Sequence, residues 1–81
     1  MATGHRNRLV ALRIAAKLSQ SQLAEKLGVT PQTVSGWERG ISIPNRFDVL
    51  GRLKEALGVK SYDRLAAAFR DAVERREGRA A

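Results

Sequence analysis

Two short capped helices joined by a tight turn constrain the fold of this chain most. Ser19 can cap the first helix while Gln22, three residues later, bonds back to the cap, and Gly28 ends the helix. Thr30 can cap the second helix, and the proline that follows it suits a first helical position. Because the link between the two helices is so short, they must cross sharply. The pattern predicts a helix-turn-helix motif over residues 19–39.

The composition favours one small domain with a polyanionic partner. The chain has 81 residues, enough for one modest core, and 15 Lys and Arg against 8 Asp and Glu give a net charge of +7. Charge alone does not separate DNA from RNA, a ribosome or an anionic membrane. There are no cysteines, which is consistent with a reducing cytoplasm, the predicted location. No apolar run has the length of a membrane span or the form of a signal peptide, so no membrane association is expected.

The rest of the chain predicts an all-α fold, a compact bundle of five short helices. Residues 1–6 have the composition of a flexible basic arm, residues 7–74 form the predicted domain, and the tail 75–81 is expected to fray. His5, the single histidine, falls in the arm and has no second ligand or nucleophile near it in sequence. No metal site and no cofactor are therefore expected.

Caps and apolar spacing place the remaining helices. The first covers residues 7–16, and the fourth follows a loop in which Asn45 offers a cap. Ser61 caps the fifth, which covers about 61–74. The expected apolar face of the fourth helix consists of Phe47, Leu50, Leu53 and Leu57.

A helical wheel of the third helix separates an inner side from an outward polar face. With about 3.6 residues per turn, the inner side holds Val34, Trp37 and Glu38. The outward face and its flanks hold Gln32, Thr33, Ser35, Gly36 and Arg39. That face is polar and almost uncharged, which suits a surface that reads base edges, because glutamine can bond adenine with two hydrogen bonds and hydroxyls can bond several bases. Trp37 is expected in the core.

Residues 9–59 resemble the lambda repressor-like, or XRE, helix-turn-helix domain of bacterial and phage transcription regulators. The matching features are Leu9-x-x-Leu12-Arg13, Leu18-Ser19-Gln20-x-x-Leu23-Ala24-x-x-Leu27-Gly28-Val29, Val34-x-x-Trp37-Glu38-Arg39-Gly40, Pro44 and Ala56-Leu57-Gly58-Val59. The resemblance implies a Cro/C1-type regulator that binds double-stranded DNA.

The resemblance also implies roles for single residues. It makes Gln20 a phosphate anchor and places Pro31, Gln32, Thr33 and Gly36 at the positions that read bases. Pro31 departs from the family, in which glutamine or serine is frequent there, so Gln32 must carry more of the discrimination.

Further contacts are expected from ionic side chains. Arg13 and Glu38 match an intramolecular ion pair that ties the first helix to the end of the third in many relatives. Cations placed to bracket a DNA groove are Arg6, Arg8, Lys17, Arg39 and Arg46, with Ser35 as an additional phosphate contact.

The predicted function is that of a sequence-specific DNA-binding regulator, a repressor that acts by occupying its operator. Surplus apolar surface on the last two helices predicts a homodimer through Leu65, Phe69 and Val73, which would read an imperfect palindrome with half-sites about 34 Å apart. In the alternative, the fifth helix folds back over the first and fourth within one chain, and the resulting monomer pairs only on DNA. The alternative is a protein-interaction adaptor, such as an antitoxin bound to its toxin. An enzyme is not expected, because there are no cysteines, one histidine and no clustered carboxylates.

Overall fold

Five helices make up the part of the chain that the structure describes. The computed structural model describes residues 8–80, so Arg6, His5 and the predicted arm lie outside it. The helices are α1 (Arg8–Ala15), α2 (Gln20–Leu27), α3 (Pro31–Glu38), α4 (Phe47–Leu57) and α5 (Tyr62–Ala80). The prediction of an all-α bundle with a helix-turn-helix is confirmed, and none of the described helices has the length and apolarity needed to cross a bilayer.

The caps of α2 and α3 form as the sequence predicts. The Ser19 hydroxyl accepts the Gln22 backbone N–H at 3.0 Å, and the Gln22 side chain accepts the Ser19 N–H at 2.8 Å. Gly28 ends α2 in the left-handed region at φ +73°. The Thr30 hydroxyl then accepts the Thr33 N–H at 3.2 Å at the start of α3. These local bonds fix both ends of the turn, so α3 is set against α2 at a defined angle.

The ends of the last two helices differ in part from the predictions. Asn45 does not cap α4, because Arg46 occupies the cap position and makes no side-chain cap bond there. Ser61 does cap α5, since its hydroxyl accepts the Arg64 N–H at 3.3 Å. α5 continues through Ala80, beyond the boundary at residue 74 that the sequence suggested.

Apolar side chains from all five helices meet in one core. The largest fully buried side chains are Leu9, Leu23, Leu27, Val34, Leu53 and Leu65. Trp37 is only 4% exposed, and its ring meets Phe69 edge to face at a centroid distance of 6.0 Å, as expected for a core aromatic pair. Because α5 packs on both α1 and α3, it closes the bundle over the helix-turn-helix.

This closure corrects the predicted dimer interface. Leu65 is 1% exposed and Phe69 is 7% exposed within the single chain, so these two side chains are already used in the core. Val73 is half-buried. In α4 the prediction fails in the opposite direction. Phe47 was expected in the core but is 90% exposed, and Val49, which was not expected there, is buried.

Gly40 controls how closely the end of α3 approaches α5. Its φ is +75°, and a Cβ built on it would lie 2.4 Å from the carbonyl oxygen of Ala72. A real Cβ does not come that close to a backbone oxygen, so only glycine fits here. The contact sets the position of the linker that follows, residues 41–46.

Candidate nucleic-acid interface

The outward face of α3 begins with two exposed residues. Pro31 and Gln32 are exposed in the first turn, while Thr33 and Ser35 are half-buried. The Thr33 hydroxyl lies 2.9 Å from the Thr30 hydroxyl, so it already shares a hydrogen bond within the protein. Gln32 is therefore the side chain of the first turn that presents both an amide donor and an amide acceptor to solvent.

Gly36 does not lie on this face, and its predicted outward position is wrong. It is buried, and a Cβ built on it would lie 3.2 Å from the Ser42 hydroxyl oxygen. The linker 41–46 folds over this side of α3, and the backbone N–H of Ile41 donates to the Gly36 carbonyl at 2.9 Å. A wheel drawn from the sequence could not include this cover, because the linker has no periodicity of its own. We remove Gly36 from the candidate base-reading residues.

A buried carboxylate joins three elements behind the α2 N-terminus. Arg13 and Glu38 form the expected ion pair, with the Arg13 Nε donating to Glu38 Oε2 at 2.5 Å and side-chain exposures of 14% and 5%. Arg13 also donates to the Leu18 carbonyl at 2.9 Å. The pair therefore links α1 to the C-terminal end of α3 and to the loop before α2.

Gln20 is the third member of this network, which sequence reasoning missed. Its Nε2 donates to Glu38 Oε1 at 2.8 Å, and the side chain is half-buried. This bond fixes which way the amide faces, leaving the carbonyl oxygen and the second N–H of the amide for other partners. This bond ties the α2 N-terminus to the end of α3. The sequence contains the Arg13–Glu38 spacing, but nothing in it places Gln20 beside that pair.

The predicted phosphate-binding cations divide between two parts of the surface. Lys17 is exposed in the turn before α2, with φ +63°, and Arg39 is exposed at the end of α3. The Arg39 Nε donates to the Ser35 carbonyl at 3.4 Å. Arg8 instead lines a groove between α1 and α5, so the structure does not bring it to the helix-turn-helix.

Arg46, at the end of the linker 41–46, lies beside α3. It lines a groove with Thr33 and Trp37, and its guanidinium pairs with Asp48 at 3.0 and 3.1 Å. Some desolvation opposes ionisation of Asp48, but the Arg46 charge and the Val49 N–H outweigh it and lower the pKa of the carboxyl. The pair is exposed, so water screens it and phosphate can compete for the guanidinium.

The matching family model is described as helix-turn-helix and covers residues 9–65, more than half of the chain. The chain belongs to this helix-turn-helix family. The match spans α1 through the start of α5, and so includes the Gln20, Glu38 and Gln32 positions of the interface.

Curated relatives that match this chain include proteins named multiprotein-bridging factors. It is 40% identical over 52 residues to multiprotein-bridging factor 1 of Candida glabrata, covering 64% of this chain and 34% of that protein. Identity to multiprotein-bridging factor 1a of Arabidopsis thaliana is also 40% over 52 residues, covering 64% and 36%. Human endothelial differentiation-related factor 1 is 42% identical over 43 residues, covering 53% and 28%. The chain thus spans about a third of the length of these relatives. No solved structure matches it significantly.

The outward side of the helix-turn-helix domain presents polar and charged groups that can take part in binding. Among residues 8–80, no group of three or more His, Cys, Asp or Glu side chains is placed to hold a metal ion. The groups of the interface are the exposed Gln32 amide, the half-buried hydroxyls of Thr33 and Ser35, and exposed cations, and such groups can bind nucleic acid by hydrogen bonds and charge.

Proposed function

We propose that this domain binds double-stranded DNA sequence-specifically, with the first turn of α3 in the major groove, and regulates transcription. The observation that carries the proposal is the exposed amide of Gln32, on a helix whose opposite side is locked into the core. A glutamine amide matches the adenine edge with two hydrogen bonds. The neighbouring Pro31 and Thr33 supply apolar contact and shape.

The phosphate contacts are proposed to come from the elements around α3. Gln20 offers its second amide N–H from a position fixed by Glu38. Lys17, Arg39 and Arg46 are exposed and cationic, and the half-buried Ser35 is a further candidate. The chain's net charge of +7 supports a polyanionic partner. We leave Arg8 out of this set because of its position between α1 and α5.

Regulation is proposed to occur by occupancy, with no reaction catalysed. A domain seated on a promoter excludes polymerase, which would make it a repressor at such a site. The argument for a dimer on a palindrome relied on surplus apolar surface, and two of its three side chains, Leu65 and Phe69, are buried in the single chain. We propose that one chain reads one half-site of a few base pairs.

Selection of bound sequences from a random duplex pool tests the proposal. We expect one enriched half-site, and Gln32→Ala should relax preference at one base pair and cost about 1–3 kcal/mol on the best sequence. The matched glutamine variant, Gln20→Ala, should weaken binding to all duplexes about equally, because phosphates carry no sequence information. No enrichment with the wild-type protein would refute the proposal, and so would an equal loss for Gln32→Ala on selected and random DNA.

A second candidate function is protein bridging. The relatives in Candida glabrata and Arabidopsis thaliana are named multiprotein-bridging factors, and each matches this chain over 52 residues. The observation in this chain that favours it is an exposed apolar surface away from the polar face of α3.

A further inference from the structure

We infer that the apolar surface between α4 and α5 is a docking groove for an acidic amphipathic helix of a partner protein. The surface comprises Ile43, Phe47, Leu50, Tyr62, Phe69 and Val73, and we call it the α4–α5 groove. It is independent of the DNA-reading proposal, because none of these residues belongs to the polar face of α3.

Two neighbouring depressions form this groove. One, of about 380 Å³, lies between Phe47 and Tyr62. The other, of about 410 Å³, extends to Ile43 and Val73. Both depressions are lined by Leu50, Ala66 and Phe69, so they share one floor.

Exposed side chains form the walls of the groove. Phe47 is 90% exposed, Ile43 58% and Tyr62 56%, although each is large and apolar. Apolar side chains clustered in this way mark an interaction site more often than single exposed ones do. Phe47 is the natural anchor, since burying an aromatic side chain dominates the energy of small interfaces.

The shape of the groove selects a helix as its occupant. The lining positions on α5 run from Tyr62 to Val73, which is about 16 Å, or three helical turns. The walls are two helices, and the described part of the chain contains no strand whose edge could pair with an extended peptide. An amphipathic helix with apolar residues at i, i+4 and i+7 fits such a groove.

The charge of the groove selects an acidic occupant over a second copy of this chain. Arg70 lines the groove, and the Lys54 ammonium lies 5.5 Å from the Tyr62 ring centroid. Of the described residues that line the two depressions, none is acidic. Two-fold pairing would place the same cations of two chains, each of net charge +7, next to one another. A helix whose flanks carry glutamate meets those cations favourably.

Binding of two designed peptides tests the inference. Each has about 14 residues with Leu at i, i+4 and i+7, and they differ only in carrying Glu or Lys beside the apolar stripe. We expect the Glu peptide to bind this protein about tenfold more tightly than the Lys peptide in fluorescence anisotropy at low salt, because Arg70 and Lys54 attract the one and repel the other. No DNA is present, so failure of the DNA proposal does not affect the result.

Variants locate the site. Phe47→Ser should abolish binding of the Glu peptide without loss of fold or of DNA binding, because the side chain is exposed. Arg70→Glu should reduce or reverse the preference for the Glu peptide. Ile41→Ser is the matched control, since Ile41 is 54% exposed but lines neither depression, and it should bind like the wild type.

Three results would overturn the inference. One is failure of both peptides to bind, and another is equal binding of the Glu and Lys peptides. The third is a dimer of the free protein in sedimentation equilibrium that Phe47→Ser converts to a monomer, which would show that a second copy occupies the groove.

Discussion

Replacing Gly40 by alanine should destabilise the fold through two separate effects. The backbone at Gly40 has φ +75°, where an L side chain costs about 1–2 kcal/mol. The added Cβ would also lie 2.4 Å from the Ala72 oxygen and 2.7 Å from its carbonyl carbon. These are backbone atoms of α5, which cannot rotate away as a side chain could. Helix α5 must therefore shift by up to about 1 Å, and overpacking of this kind costs about 1–3 kcal/mol.

Comparison with Gly58→Ala isolates the second effect, the close contact with α5. Gly58 has φ +67°, and a Cβ built there meets nothing within 4 Å, so this variant carries the backbone cost alone. We expect Gly40→Ala to be less stable than Gly58→Ala by about 1–3 kcal/mol, a difference of roughly 5–20 °C in Tm for a domain of this size. Urea and thermal unfolding followed by circular dichroism measure both variants. Equal losses would refute the argument that close packing of α5, rather than backbone strain, makes glycine necessary at residue 40.

Three further predictions concern the backbone at Lys17 and Gly36 and the carboxylate of Asp71. Lys17→Gly should raise the free energy of unfolding by about 1 kcal/mol, because φ is +63° at this residue, and urea unfolding measures this gain. The same variant should reduce the salt dependence of DNA binding by about one phosphate contact, as measured by anisotropy titrations at several salt concentrations. Gly36→Ala should leave DNA affinity unchanged and stabilise α3 by up to about 1 kcal/mol in the same assays, since only an exposed serine hydroxyl must move. Desolvation raises the pKa of Asp71, but hydrogen bonds from the Arg8 backbone N–H and the Arg75 side chain outweigh it and keep that pKa below its usual value. The ionised Asp71 carboxylate therefore stabilises the fold fully above about pH 4, and this stabilisation is lost as the pH falls through the lowered pKa. In acid unfolding, the stabilities of the wild type and of Asp71→Asn should converge as the pH falls.

The helix-turn-helix could be predicted from sequence because its determinants are local. Ser19 and Gln22 cap α2 through bonds that span three residues, and Thr30 caps α3 in the same way. Such bonds depend on the residues nearby and little on the rest of the fold. The Arg13–Glu38 pair joins distant segments, and it was expected only because the chain resembles a known family.

The packing partners of the apolar faces of α4 and α5 could not be predicted. Periodicity identifies an apolar stripe on a helix but does not indicate which element covers it. Phe47 continues the apolar stripe of Leu50 and Leu53 on α4, yet it stands in the first turn, where no neighbouring element covers it. Leu65 and Phe69 form a stripe that suits a dimer equally well, but α5 folds back over the core and buries both. Leu53 and Leu57 of the predicted α4 stripe are buried and Phe47 is not, so what covers an apolar stripe depends on tertiary packing.

Gln20 shows why only part of the candidate site can be predicted from the sequence. At the start of α2, a glutamine is read from the motif as a side chain directed at phosphate. In the structure one of its amide hydrogens is committed to Glu38, a residue 18 positions away that the Arg13 guanidinium also holds. Burying a carboxylate is costly unless it is hydrogen-bonded, and both Arg13 and Gln20 donate to Glu38. The same bond therefore sets the direction of the remaining polar groups of Gln20, which we propose to bind phosphate, so the geometry of the proposed interface depends on the packing behind it.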